Sequence, residues 1–307
     1  MPADNDPLCI DFVTSDQQAE ALKLVLMSCP AEQRLDQVRQ LLAASRRGQF
    51  SLEHLLGASR GGKLVGAAWI TMQPGRTAAV WPPQLGPLEP AATADLLLAE
   101  LNKIAAEHGV RLAQALLPAH DAQSADILAR GGFSHTADLA FMVSSRTQFP
   151  TEQPVGVLEF VPYTLQDSVR MANLIEQTYV DTLDCPELNG VRTINDVLDG
   201  YAATGQFVPE RWFFIRHDLG DVGCLLLTEH PGERQWKVVY VGIIPQARGH
   251  GWGAESILHA QWAAGIAGAE RFVLDVDTRN HPAIRLYEQV GFTIWDQRAV
   301  LLRVFES

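Results

Sequence analysis

The sequence predicts two α/β domains in tandem, and three observations carry that expectation. At 307 residues the chain is about twice the usual length of one domain. Near its middle, residues 147–154 form a polar stretch holding Pro150 and Pro154, set between two apolar alternating runs. A short segment also recurs: Ile127-Leu128-Ala129-Arg130-Gly131-Gly132-Phe133 is echoed by Leu286-Tyr287-Glu288-Gln289-Val290-Gly291-Phe292, with Gly132 matching Gly291. The expected division is a domain over residues 1–147, a linker over 148–156 and a second domain over 157–307.

Each half then repeats one order of elements. In the first, apolar spacing predicts a helix over 96–108, a strand over 112–117, a second helix running into Gly132-Phe133, and a final strand over 139–143. The second half has a helix over 254–267, a strand over 271–276 and a helix running into Gly291-Phe292. Ahead of these lie a strand over 157–161, helices over 167–178 and 191–201, and strands over 212–215, 222–227 and 236–244. The turn-type cluster Asp218-Leu219-Gly220-Asp221 joins two of those strands as a hairpin.

Composition narrows the chemistry. A hydrophobic fraction of 47% with 20% charged residues is that of an ordinary globular protein. The net charge of -12 opposes attachment to nucleic acid or anionic lipid, both of which need clustered Lys and Arg, and favours a neutral or cationic partner. Cys9, Cys29, Cys185 and Cys224 are far apart, with no Cys-x-x-Cys pair, so no disulfide framework and no metal site is expected. The first residues carry Asp4, Asp6 and Asp11 instead of a basic, apolar leader, and no later run is long and apolar enough for a bilayer; a cytoplasmic protein is the expectation.

The strongest local signal is Arg248-Gly249-His250-Gly251-Trp252-Gly253, which follows the apolar run Val241-Gly242-Ile243-Ile244 and precedes the helix-compatible Ala254-Glu255-Ser256-Ile257-Leu258. A strand, a glycine-rich turn and a helix start make an anion cradle, because glycine lets the backbone approach closely and the first helical N–H groups point outward. The alternate glycines match neither the G-x-G-x-x-G dinucleotide fingerprint nor a P-loop.

This segment resembles the R/Q-x-x-G-x-G/A signature of the GNAT acetyltransferase superfamily. Downstream, Asn280-His281-Pro282-Ala283-Ile284-Arg285-Leu286-Tyr287-Glu288-Gln289-Val290-Gly291-Phe292 is similar to that family's Asn-x-x-Ala-x-x-Leu-Tyr-x-x-x-Gly-Phe segment. The resemblance covers about residues 160–305 well and the first half weakly. It implies two GNAT-like domains, each a mixed, mostly antiparallel sheet flanked by helices, with acetyl-CoA as acyl donor and direct transfer to a primary amine of a small acceptor.

The resemblance also implies roles. Val241 and Ile243 match the strand whose backbone pairs with the pantetheine arm and polarises the thioester carbonyl; Arg248, Gly249, His250, Gly251, Trp252 and Gly253 match the pyrophosphate loop. Asn280 and Ala283 match coenzyme contacts, although an Asn at a helix start is commonly a cap. Tyr287 matches the acid that protonates the departing thiolate. The position at which many members carry a Glu base is here Lys237, so Glu229, at the end of the preceding strand, is the candidate base.

Other residues are weighed on their own chemistry. Asp181, Asp184 and Glu187 could draw in a cationic amine or form a solvated acidic loop. Cys185 has no activating His nearby and reads as an idle thiol. In the first half, Val80-Trp81-Pro82-Pro83-Gln84-Leu85-Gly86-Pro87 replaces the glycine loop with residues that lack N–H donors, and Leu128 stands where Tyr287 would, so a structural or substrate-shaping role is expected there. Two further readings fit the same motifs: a coenzyme-binding regulatory or scaffold protein whose transfer activity has lapsed, and an acetyltransferase of proteins or peptides.

Overall fold

The computed structural model describes residues 6–218 and 220–306; Asp4, and Leu219 of the hairpin turn, lie outside them. The chain divides into two compact units, one running to Thr136 and taking in the residues from Ala299 on, the other spanning Ala137–Arg298.

The first unit contains β1 (Leu8–Phe12), α1 (Gln18–Val25), α2 (Ala31–Arg46), β2 (Leu55–Arg60), β3 (Lys63–Gln73), β4 (Thr77–Leu85), α3 (Ala92–Glu107), β5 (Leu112–Pro118) and α4 (Ala122–Arg130). Strands β1 to β4 pair antiparallel in sequence order. Parallel β5 joins β4 over a short register only, from Thr77↔Leu112 to Ala79↔Gln114. Leu97, Leu98 and Leu101 of α3 are fully buried in one cluster with Ala68, Ile70 and Val80 of the sheet. Burying each leucine is worth about 2 kcal/mol of transfer free energy, which fixes that helix face inward.

β6 (Ser134–Ser145) crosses from the first unit into the second. The second unit continues with β7 (Glu159–Pro162), α5 (Ser168–Tyr179), α6 (Ile194–Ala202), β8 (Trp212–His217), β9 (Gly220–His230), β10 (Gln235–Ile243), α7 (Trp252–Ile266), β11 (Arg271–Asp277), α8 (His281–Gln289) and β12 (Thr293–Val304), whose end belongs to the first unit. Strands β7 to β10 pair antiparallel in order, and parallel β11 follows β10. Phe272, Phe292 and Trp236 form the aromatic centre of the core, with the Phe272 and Phe292 rings 5.8 Å apart.

Local signals recur between the units. Asn280 caps α8 by accepting the Ala283 N–H (3.3 Å), and Asp121 caps α4 by accepting the Ser124 N–H (3.1 Å). Strands β4 and β10 each carry a bulge, at Pro82-Pro83 and at Val239; prolines are tolerated where a strand leaves its ladder.

The exchange of strands differs from the sequence-based division. Residues 139–145 of β6 pair with β11 in the second unit, from Leu139↔Asp277 to Ser145↔Arg271. The chain's end belongs to the first unit, where the Phe305 N–H donates to Arg111 (3.0 Å) and Arg303 donates to the Gly131 carbonyl. Alternation along a strand records that one face is buried and leaves the neighbouring strand unspecified.

Candidate functional site

β10 and β11 run together from Gln235↔Arg271 to Lys237↔Val273 and then separate, whereas β9 stays with β10 as far as Ile243. Past Lys237, the edge of β10 that faced β11 has no strand beside it, and its backbone groups require another partner. The gap is a cavity of about 320 Å³, bordered by Val241 and Ile243 on β10, by Asn280, Ala283 and Tyr287 at α8, and by Arg248 and Asp184. Sequence-distant residues expected at the coenzyme site are thereby brought together.

The glycine loop continues directly from Arg248. Gly249 (φ +85°) and Gly251 (φ +80°) adopt left-handed backbone, and a Cβ at either would meet nothing, so conformation and not space demands glycine there. Gly253 differs: its φ is ordinary, and a Cβ there would lie 2.9 Å from Leu286 Cδ1, where α7 meets α8, so that leucine tip would have to shift. Among the described residues, the N–H groups of Gly249, His250, Gly251, Trp252 and Gly253 donate to no backbone carbonyl. Consecutive free donors at the start of α7, backed by the helix dipole, suit the pyrophosphate of coenzyme A. The His250 ring stacks on Trp252 at 4.8 Å, while the Trp252 side chain is itself buried.

The Arg248 side chain has another task. Its guanidinium donates to Ile243 O (3.0 Å), Thr178 O (2.9 Å), Val180 O (2.7 Å) and Asp181 O (3.0 Å). A cation on the exposed carbonyls at the end of α5 complements the negative pole of that helix and ties the glycine loop to it. Four of the five guanidinium N–H bonds are thus spent within the protein.

Tyr287 is buried, and burial first and the nearby Asp184 second push its hydroxyl well above the usual phenol range. It is protonated at neutral pH, the form that can donate to a thiolate. The Asn280 side chain is engaged with Ala283 as a cap and sets the start of α8.

Glu229 is a correction. It does not border the cavity; its carboxylate pairs with Arg211 at 3.0 Å, whose guanidinium lies 4.6 Å over the Trp236 ring. A carboxylate held in that pair is removed from the cleft. Lys237 instead bonds Asp275 on β11 at the point where the strands part. Asp275 and Asp184 are carboxylates bordering the cavity. Burial raises the Asp184 pKa, opposed by the Asp277 N–H it accepts (3.0 Å). Arg279 clamps Asp277 and Glu187 together, which fixes the acidic loop. Cys185, beside them, is pushed up to about 12 by burial and then by Asp184, so it is a thiol and no nucleophile. Asp275 escaped the sequence reading because it alternates with buried residues like any exposed strand position.

The first unit has the same parting of β4 and β5, closed differently. Gln84 on β4 bonds Ser124 on α4 (3.0 Å), and Leu128 is fully buried where the second unit has Tyr287. At the start of α3 the buried Glu89 carboxylate binds Arg60 and Thr93, so a negative group of the chain itself occupies that helix terminus.

Comparison with known proteins agrees with this geometry. Residues 185–292 match the family model described as the acetyltransferase (GNAT) family. The matched residues lie within the second unit. Mycothiol acetyltransferase of Streptomyces griseus is 36% identical over 99 residues, 31% of this chain. That match spans 31% of the relative's own length. Among solved structures, a GCN5-related N-acetyltransferase from Sphaerobacter thermophilus has a TM-score of 0.65 at 16% identity, covering 97% of this chain and 95% of that one. A tandem GNAT protein from the clavulanic acid biosynthesis pathway has a TM-score of 0.52 at 15% identity, covering 98% and 100%. Both units are GNAT-like, each a mixed, mostly antiparallel sheet with flanking helices. Among the described residues, no helix is long and apolar enough to cross a membrane, and no group of three or more His, Cys, Asp or Glu is placed to hold a metal ion.

Proposed function

We propose that the second GNAT domain transfers an acetyl group from acetyl-CoA to a primary amine of a small acceptor, by direct attack while both substrates are bound. The observation that carries this reading is the parting of β10 from β11 beside five free loop amides, with Tyr287 bordering the same cavity. The open edge of β10 accepts the pantetheine arm as an added strand, and the amides of residues 249–253 take the pyrophosphate. A backbone N–H of β10 stabilises the oxyanion that forms when nitrogen attacks the thioester. The ammonium first loses a proton to a carboxylate of the cleft, directly or through water. The C–N bond then forms, the C–S bond breaks, Tyr287 gives the thiolate its proton, and the proton that the nitrogen sheds on becoming an amide restores the phenol. One proton is released per turnover, alongside the amide and the free thiol.

Calorimetric titration of acetyl-CoA tests this reading. The wild type should bind, and Gly251→Asp, whose carboxylate opposes the pyrophosphate and whose φ of +80° strains any side chain, should not. Failure of both proteins to bind would leave only a shared fold.

A further inference from the structure

A second cavity, of about 560 Å³, lies where β6, β10, β11 and β12 come together within the second unit. Phe141, Val143 and Val273 give it an apolar floor, and Trp295 a wall. Trp295 is 61% exposed and meets Phe141 edge-on at 6.0 Å, so much of its indole has no protein partner. Leu274 and Asp275 border both this cavity and the coenzyme cleft, which makes Asp275 a link between them.

The charges around the cavity are largely spent on each other. Lys237 bonds Asp275 Oδ2, and Arg271 pairs with Glu233 at 3.9 Å on the rim. His230 is held neutral, since burial lowers its pKa. Asp275 Oδ1 has no hydrogen-bond partner among the described residues and is the one carboxylate oxygen offered at the junction of the two cavities. An acceptor with a second charge would bury that charge against groups already paired, at a desolvation cost that nothing there offsets.

We propose that this second cavity is the acceptor site, and that the acceptor is a primary amine on an uncharged apolar or aromatic body. Its body lies on Trp295 and Phe141, and its ammonium donates to Asp275 Oδ1, facing the acetyl group. This rests on the acetyltransferase reading above. A volume of about 560 Å³ falls in the range of small-molecule pockets and admits a single-ring amine. The indole face adds attraction for a ring.

The test is calorimetric titration of phenethylamine, and of putrescine and glutamate as doubly charged and anionic probes, into the full chain. The wild type should bind phenethylamine at least about tenfold more tightly than either probe, a difference of about 1.4 kcal/mol. Trp295→Ala should weaken phenethylamine about tenfold and Trp295→Phe should restore most of it. Asp275→Asn should weaken it similarly. Because Trp295 borders the second cavity and not the first, Trp295→Ala should bind acetyl-CoA like the wild type. No phenethylamine binding by the wild type, equal binding of glutamate, or an unchanged Trp295→Ala affinity would each overturn the proposal. Phenethylamine binding without acetyl-CoA binding would instead remove the transferase reading and leave the cavity assignment standing.

Discussion

Arg248 offers a direct test of how the glycine loop is held. Of its four bonds to backbone carbonyls, those to Thr178, Val180 and Asp181 connect the loop to the end of α5 across about 70 residues of sequence, and the fourth goes to Ile243 of β10. Most of these bonds are exposed, so each is worth about 0.5 kcal/mol, the low end for a net hydrogen bond. Arg248→Ala should then cost about 2 kcal/mol in all, which for a unit of this size lowers Tm by about 4–8 °C. Acetyl-CoA affinity should fall by less than about tenfold, through a looser cradle and not through a lost charge. Thermal unfolding followed by circular dichroism, with calorimetry of acetyl-CoA binding, measures both quantities. An unchanged Tm with a hundredfold loss of affinity would refute the argument, since it would mean that the guanidinium leaves its carbonyls to bind the pyrophosphate.

Three further outcomes are expected. Tyr287→Phe should reduce kcat for thiol release by about 10²- to 10⁴-fold with acetyl-CoA binding intact; an unchanged kcat would remove the general-acid role. His259, stacked on Phe160 at 3.8 Å, is lowered to about 4 by burial, so the unfolded chain takes up its proton first as pH falls below 6.5 and stability is lost between about 6.5 and 4. Discounted for partial exposure, the loss is on the order of 1–2 kcal/mol, and His259→Phe should flatten that part of the stability–pH curve. Iodoacetamide at pH 8, read by intact mass and peptide mapping, should label exposed Cys9 and leave Cys185 untouched, and Cys185→Ser should keep its turnover.

What the sequence disclosed follows from where each constraint acts. The loop from Arg248 to Gly253 and the segment from Asn280 to Phe292 were legible because local backbone needs dictate them: left-handed φ at Gly249 and Gly251, a close helix approach at Gly253, a cap at Asn280. Leu128 facing the role of Tyr287 was legible from the repeat, and the Glu89 carboxylate at the start of α3 was not, since its partner Arg60 arrives from another strand. The same limit hid the Lys237 bond to Asp275, the Arg248 carbonyl partners and the capture of Glu229 by Arg211, each set by elements distant in sequence. The division at residues 148–156 failed to anticipate the strand exchange for a related reason, because alternation in β6 and β12 is indifferent to which strand lies alongside.

That exchange has a bearing on how the protein is born. A ribosome delivers residues in order, and domains ordinarily close as soon as their own stretch has emerged. Here the first unit needs Ala299 and the residues after it, which emerge from the exit tunnel only after all of Ala137–Arg298. The amino-terminal unit is therefore the last to be completed, and until then the edge of β5 and the apolar cluster that receives Leu301 stand open to chaperones.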